Sequence, residues 1–154
     1  MTRRSLCNLM ALPGLVRCLK GAVRGDEAMY VGGTISSVRE KTEGHLDLSS
    51  ETEGRFEAKK GTFTFAYKKI TSIEYGQKAG RRIGVALVVS PLFLLSKKRK
   101  HFLTIGFTDA AGKSQGAVLE VGKGHVRSVL STLEARSGQK VEFESEEARK
   151  HAGN

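Results

Sequence analysis

The residues best suited to metal or proton chemistry are four histidines, His45, His101, His125 and His151. Their spacing supports neither. A helical zinc site needs two imidazoles one turn apart, as in His-x-x-x-His or His-Glu-x-x-His, and the chain contains no such pair. Cys7 and Cys18 both lie near the N-terminus, so no disulfide framework or cysteine zinc site is available to the remaining sequence. Neither cysteine stands in a nucleophile motif, and no G-x-S-x-G elbow occurs. Glu51, Glu53 and Glu57 alternate along what reads as extended chain, which gives a solvated acidic face rather than a buried acid–base pair. Gly122-Lys123-Gly124 resembles the start of a dinucleotide fingerprint, but Arg127 stands where its third glycine belongs. It reads as a strand-to-helix turn, with an anion site at the helix start as the weaker alternative. The sequence therefore predicts no catalytic residue, no metal and no cofactor.

Charge is the stronger signal. The 154 residues carry a net charge of +10, distributed unevenly. Residues 1–24 hold five cations and no acid, residues 25–58 have a net charge of −5, residues 59–101 a net +10, and the remainder is balanced. An excess of this size favours anionic partners. It concentrates around RRIGVALVVSPLFLLSKKRKH at 81–101, where thirteen uncharged residues, 83–95, lie between Arg81-Arg82 and Lys97-Lys98-Arg99-Lys100.

As a helix, thirteen residues span roughly 20 Å, short of the ~30 Å hydrocarbon core of a bilayer, and Pro91 interrupts the run. Three readings remain open. The apolar half completes the fold of the domain, with the cations as its rim. Or both halves meet a membrane surface, with Leu92, Phe93 and Leu94 entering the interface while Lys78, Arg81, Arg82, Lys97, Lys98, Arg99 and Lys100 contact acidic headgroups. Or the apolar run serves self-association into a homo-oligomer. Nucleic acid is disfavoured, because the aromatic residues fall at core-facing positions and leave no stacking platform.

The elements that position this segment are short strands. Met29, Val31 and Ile35 alternate with Tyr30, Gly32 and Thr34; Leu46 and Leu48 alternate with polar neighbours; Phe56 sits in a weaker run. Phe63, Phe65 and Tyr67, then Ile70, Ile73 and Tyr75 after the Lys68-Lys69 step, continue the two-residue period. Leu103, Ile105 and Phe107, then Ala117, Leu119 and Val121, complete it. Lys59-Lys60-Gly61 and Asp109-Ala110-Ala111-Gly112-Lys113 read as hairpin turns, so the sheet is predicted antiparallel. Val126, Val129, Leu130 and Leu133 form one helical face, with Gly138 as its stop and Arg136 in its last turn. Val141 and Phe143 suggest a short extended piece, and the residues beyond it a solvated tail or short helix.

This order, with TFTFAYKKITSIEYG at its centre, resembles uncharacterised bacterial pleckstrin-homology-like (PH-like) proteins. Phe65, Tyr67, Ile70, Ile73 and Glu74 occupy the places of an aromatic strand, a basic step and the opening of the next strand. YVGGTISS, ITSIEYGQKAGRR, SPLFLLSKKRKHFLTIGF and the closing helix carry the same likeness, over about residues 29–143. The resemblance implies a mainly β fold: a small antiparallel PH-like barrel of about seven strands closed by one C-terminal amphipathic helix. It implies a non-enzymatic binding module that touches an anionic membrane or an acidic protein, with a structural, self-associating domain as the alternative. The chain divides into a basic tail or degenerate signal-like segment (1–27), the domain (28–143) with its apolar and basic insertion at 77–101, and a polar tail (144–154). A signal-like reading of residues 1–24 and a frayed basic tail both stay open, as do cytoplasmic and exported locations.

Overall fold

The protein is described by a computed structural model covering residues 24–77 and 100–153. Eight strands form one curled sheet: β1 (Arg24–Gly33), β2 (Thr42–Asp47), β3 (Glu53–Ala58), β4 (Gly61–Ala66), β5 (Ile70–Gly76), β6 (Phe102–Thr108), β7 (Ser114–Val121) and β8 (Val141–Phe143). Two helices follow the seventh strand, α1 (Val126–Ser137) and α2 (Glu146–Gly153). Across the sheet the order is β4-β3-β2-β1-β7-β6-β5-β8. The first seven strands pair antiparallel wherever they meet, and β8 alone runs parallel to its neighbour β5.

The mainly β expectation therefore holds, with an eighth strand and a second helix added. β1 begins at Arg24, inside the stretch read from sequence as tail. Residues 146–153, read there as part of a polar tail, form α2, whose Ala148 and Ala152 are buried.

The long strand β1 joins the two halves of the sheet, pairing with β2 on one side and β7 on the other. Its register shifts twice, between Gly25 and Ala28 and between Tyr30 and Gly32. Bulges of this kind bend a strand and increase its twist, which curls the sheet into half a barrel. The concavity is packed with rings. Phe56 and Phe63 stack at 5.4 Å, and Phe65 of β4 lies 5.8 Å from Phe107 of β6, centroid to centroid. Helix α1 closes the open side with the face expected from its spacing: Val126, Val129, Leu130 and Leu133 are all buried. Gly138 ends the helix in the left-handed region at φ 73°, where its N–H donates to the Glu134 carbonyl at 2.9 Å.

Arg136 does more than complement the helix dipole. Its guanidinium donates to the carbonyl oxygens of Leu48 and of Ser50 (2.6 Å) and to the Tyr67 hydroxyl (3.1 Å). It also lies over the Tyr67 ring, 5.4 Å from its centre. The end of α1 is thereby tied to the β2–β3 loop and to the 3-10 turn Tyr67–Lys69.

The convex side is of two kinds. Over β2–β4 it carries Glu43, His45, Arg55, Glu57, Thr62 and Thr64, all exposed, as one face of an antiparallel sheet commonly does. Over β1, β7 and β6 it carries Val31, Val118, Phe102 and Thr104, all buried. Met29, half-buried, packs against Val31, Phe102 and Val118 in a cluster separate from the main core. On β1, then, the residues that the alternation picks out as apolar, Met29 and Val31, face the convex side, while Ala28 and Tyr30 face the core.

Candidate functional site

Nine of the ten contact candidates named from sequence, namely Lys78, Arg81, Arg82, Leu92, Phe93, Leu94, Lys97, Lys98 and Arg99, lie outside the described residues. Lys100 is described. Its Nζ donates to Glu120 Oε2 at 2.8 Å, and both side chains are about a quarter exposed. Its charge is therefore engaged by the sheet rather than held out to a partner. Glu120 projects from the convex face, since it pairs in register with both Phe102 and Met29. The cation-rich insertion thus returns to the fold on the convex side.

The point of departure is fixed in a similar way. Gln77 N–H donates to Glu144 Oε2 at 3.1 Å. The Glu144 side chain lies over Gly76, where an added Cβ would meet its carboxylate at 2.4 Å. Gly76 is opposite Phe102 in the β5–β6 register, so this carboxylate too stands on the convex side.

Beneath these ties, on the concave side, is a buried polar pair that sequence reasoning missed. The Tyr75 hydroxyl is 2.6 Å from His101 Nδ1, with the two rings near parallel. Burial pushes the Tyr75 hydroxyl above its usual value. Burial also pulls the His101 imidazole down, helped by His151 and Lys123 and opposed by Glu120. Both partners are therefore neutral near pH 7, and one hydrogen bond joins the hydroxyl to Nδ1. The bond holds the start of β6 against β5. Its partners are 26 residues apart, a separation at which no periodicity links them.

An open groove of about 940 Å³ lies at the same end of the sheet, across the ends of β1, β2, β3 and β7. Carboxylates of Glu27, Glu43, Glu57 and Glu120 line it alongside Lys41, Lys59 and Lys60, so it presents no single sign of charge. His45 also borders the groove. Among the described residues no cluster of three or more histidines, cysteines and carboxylates is arranged to hold a metal ion. No described helix is long and apolar enough to cross a membrane. Gly122 precedes, and Gly124 lies within, a 3-10 turn, Lys123–His125, that leads into α1, the strand-to-helix connection expected there.

Acids occur in both halves of the sheet: Glu43, Asp47, Glu53 and Glu57 on β2 and β3, and Glu74, Glu120 and Glu142 on β5, β7 and β8. The insertion leaves and returns between β5 and β6, and residues 78–99 contain six cations and no acid.

No protein-family model matches the chain, and no curated protein matches it.

Proposed function

We propose that the chain is a non-catalytic, PH-like binding module whose basic insertion contacts an anionic membrane surface. The observation that carries the reading is the concentration of charge: an acid-free stretch of six cations joins β5 to β6. Such a molecule meets a negative surface insertion first, because the insertion is attracted more strongly than the mixed charge of the strands. The PH-like assignment draws on the run of seven antiparallel strands followed by α1, which seals the concavity. The concavity itself is filled by buried aromatic residues, which leaves recognition to the loops and outer surface.

The test is co-sedimentation with vesicles containing phosphatidylserine, against vesicles of phosphatidylcholine alone, at low and raised salt. Binding is expected only to the anionic vesicles and to weaken with salt. Lys97→Glu/Lys98→Glu/Arg99→Glu leaves the Lys100–Glu120 pair intact. At about 1 kcal/mol per cation, losing three attractions weakens binding on the order of 100-fold. Pelleting that is the same with and without vesicles refutes the reading. Retention on an acidic protein but not on vesicles would instead assign the insertion to a protein partner.

A second reading, self-association, is favoured by the net −5 of residues 25–58, which complements the six cations of the insertion in another copy. It predicts a mass that rises with concentration and falls with salt, in the absence of lipid.

A further inference from the structure

Strand β4 is an edge of the sheet, with β3 as its one neighbour among the described strands. The two-residue turn Lys59-Lys60 closes the pair Ala58–Gly61, and at the other end the Tyr67 N–H donates to the Thr52 carbonyl at 3.0 Å. Hydrogen-bonded pairs alternate in an antiparallel ladder. Gly61, Phe63 and Phe65 therefore turn their backbone groups to β3, while Thr62, Thr64 and Ala66 turn theirs outward. The Thr62 carbonyl accepts from Ser37 Oγ at 3.1 Å, in keeping with that direction. The N–H groups of Thr62, Thr64 and Ala66 and the carbonyl of Thr64 have no partner among the described residues. All three residues are exposed. The opposite edge offers less, since β8 is three residues long.

A row of outward backbone groups is a template for one more strand. Here its ends are marked by charge. Lys59 and Lys60 precede β4, Lys68 and Lys69 follow it, and all four are exposed. Lys69 Nζ donates to the Asp109 carbonyl at 3.2 Å, a neutral acceptor that leaves its charge in place. The nearby acids weigh less. Glu53 and Glu57 of β3 both pair with Arg55 between them, at 3.7 and 3.2 Å. Residues 51–69 hold five cations against three acids.

We propose that this edge takes an acidic peptide of a separate protein, added as an extended strand whose carboxylates lie over the two lysine pairs. From Lys60 to Lys68 is roughly 26 Å at ~3.3 Å per residue, so the added segment is about eight residues long. Charge selects the occupant. The stretches of this chain outside the described residues have the wrong sign: 1–23 holds four cations and no acid, and 78–99 six cations and no acid. A second copy is disfavoured as well. Antiparallel β4–β4 pairing about Thr64 sets Lys60 against Lys68, and parallel pairing sets each lysine beside its own copy. Like charges directly opposite destabilise a strand pair. An acidic strand turns that penalty into attraction, while the backbone bonds contribute affinity for many sequences.

The surface uses residues 59–69 rather than the insertion, so it stands or falls apart from the membrane contact. The probe is a fluorescein-labelled decapeptide of alternating threonine and valine with two glutamates at each end. Its anisotropy is followed with the full chain and no lipid. Saturable binding that weakens with salt is expected. N-methylation of the six central amides removes donors and keeps every charge, and it should weaken binding about ten-fold or more. Thr64→Pro deletes an outward N–H at an edge position that proline tolerates, and Lys59→Glu/Lys60→Glu reverses one anchor. Each should weaken binding about ten-fold. Hydrogen exchange locates the contact: the Thr62, Thr64 and Ala66 amides should exchange fast in the free chain and slowly with saturating peptide. Absence of binding, or a methylated peptide that binds as well as its parent, overturns the proposal. Protection of those three amides without peptide also overturns it, in favour of a second copy if the protection rises with protein concentration and of this chain itself if it does not. Loss of peptide binding in Lys97→Glu/Lys98→Glu/Arg99→Glu overturns it by assigning the attraction to the insertion. If Thr64→Pro does not fold, the methylated peptide and the exchange decide.

Discussion

Replacing Arg136 with alanine tests whether the closing helix is held by its apolar face alone. The guanidinium makes charge-assisted hydrogen bonds to Leu48 O, Ser50 O and Tyr67 Oη and lies over the Tyr67 ring. A hydrogen bond to a charged group contributes about 1.5–3 kcal/mol where it is shielded from water. The Ser50 contact is exposed and water replaces it at little cost, whereas those to Leu48 and Tyr67 are part-buried. Two effective bonds, discounted for partial rehydration, give an expected loss of about 2–3 kcal/mol for Arg136→Ala. In a domain of this size that lowers the thermal midpoint by about 8–12 °C. Arg136→Lys recovers little, since the ammonium sits on a shorter stem that does not carry it to the place of Nη1 and lacks the flat face that lies over the Tyr67 ring. In a double-mutant cycle with Tyr67→Phe, coupling of about 0.5–1.5 kcal/mol is expected. The assay is equilibrium unfolding in urea with parallel thermal melts. A loss below about 0.5 kcal/mol for Arg136→Ala would show that α1 stays docked through Val126, Val129, Leu130 and Leu133 without the clamp.

Three further outcomes follow from the geometry. Because folding pulls the His101 imidazole below its ordinary value of 6.5, the unfolded chain takes up the proton first as pH falls. The contribution of His101 is thus complete above about pH 6.5 and is lost as pH drops through the lower folded value; melts between pH 7.5 and 5 should show this slope, flattened in His101→Gln. Gly138→Ala should cost about 1 kcal/mol in urea unfolding, purely from the backbone, because φ is 73° and no atom lies within 4 Å of the added Cβ. Gly54→Ala should cost more than Gly138→Ala, because its Cβ would lie 2.4 Å from the buried Phe65 ring and 2.9 Å from Leu48; equal losses in the two melts would refute the claim that Phe65 is tightly held.

What the sequence made legible was whatever repeats locally. The two-residue period of Phe63 and Phe65, and of Leu103, Ile105 and Phe107, placed β4 and β6 and their core faces. The helical spacing of Val126, Val129, Leu130 and Leu133 placed α1, and Gly138 its end. Less legible were features set by contacts far apart in the chain. The Arg136 clamp reaches 88 residues back to Leu48, so only its position in the last helical turn was visible. β8 is three residues long and takes its identity from pairing with β5, while α2 is polar apart from two buried alanines. β1 misleads because it is apolar on both faces, and alternation cannot say which face is core. The candidate site was legible as composition, in the cations around 81–101, but the pairing of Lys100 with Glu120 was not.

That pairing changes what the insertion is able to do. A loop inserted between adjacent antiparallel strands is ordinarily free to point away from the sheet, and its charge then meets whatever arrives. Here Lys100 is fixed to Glu120 and Gln77 to Glu144, and both carboxylates stand beside the apolar convex cluster. The ends of the segment are therefore directed along the sheet before any partner is present. Under the proposed membrane contact, attraction through the cations alone requires no insertion of apolar side chains. Salt should then weaken binding to anionic vesicles at all lipid packing densities, whereas an inserting loop would keep a salt-resistant fraction that falls as the lipids are packed more tightly.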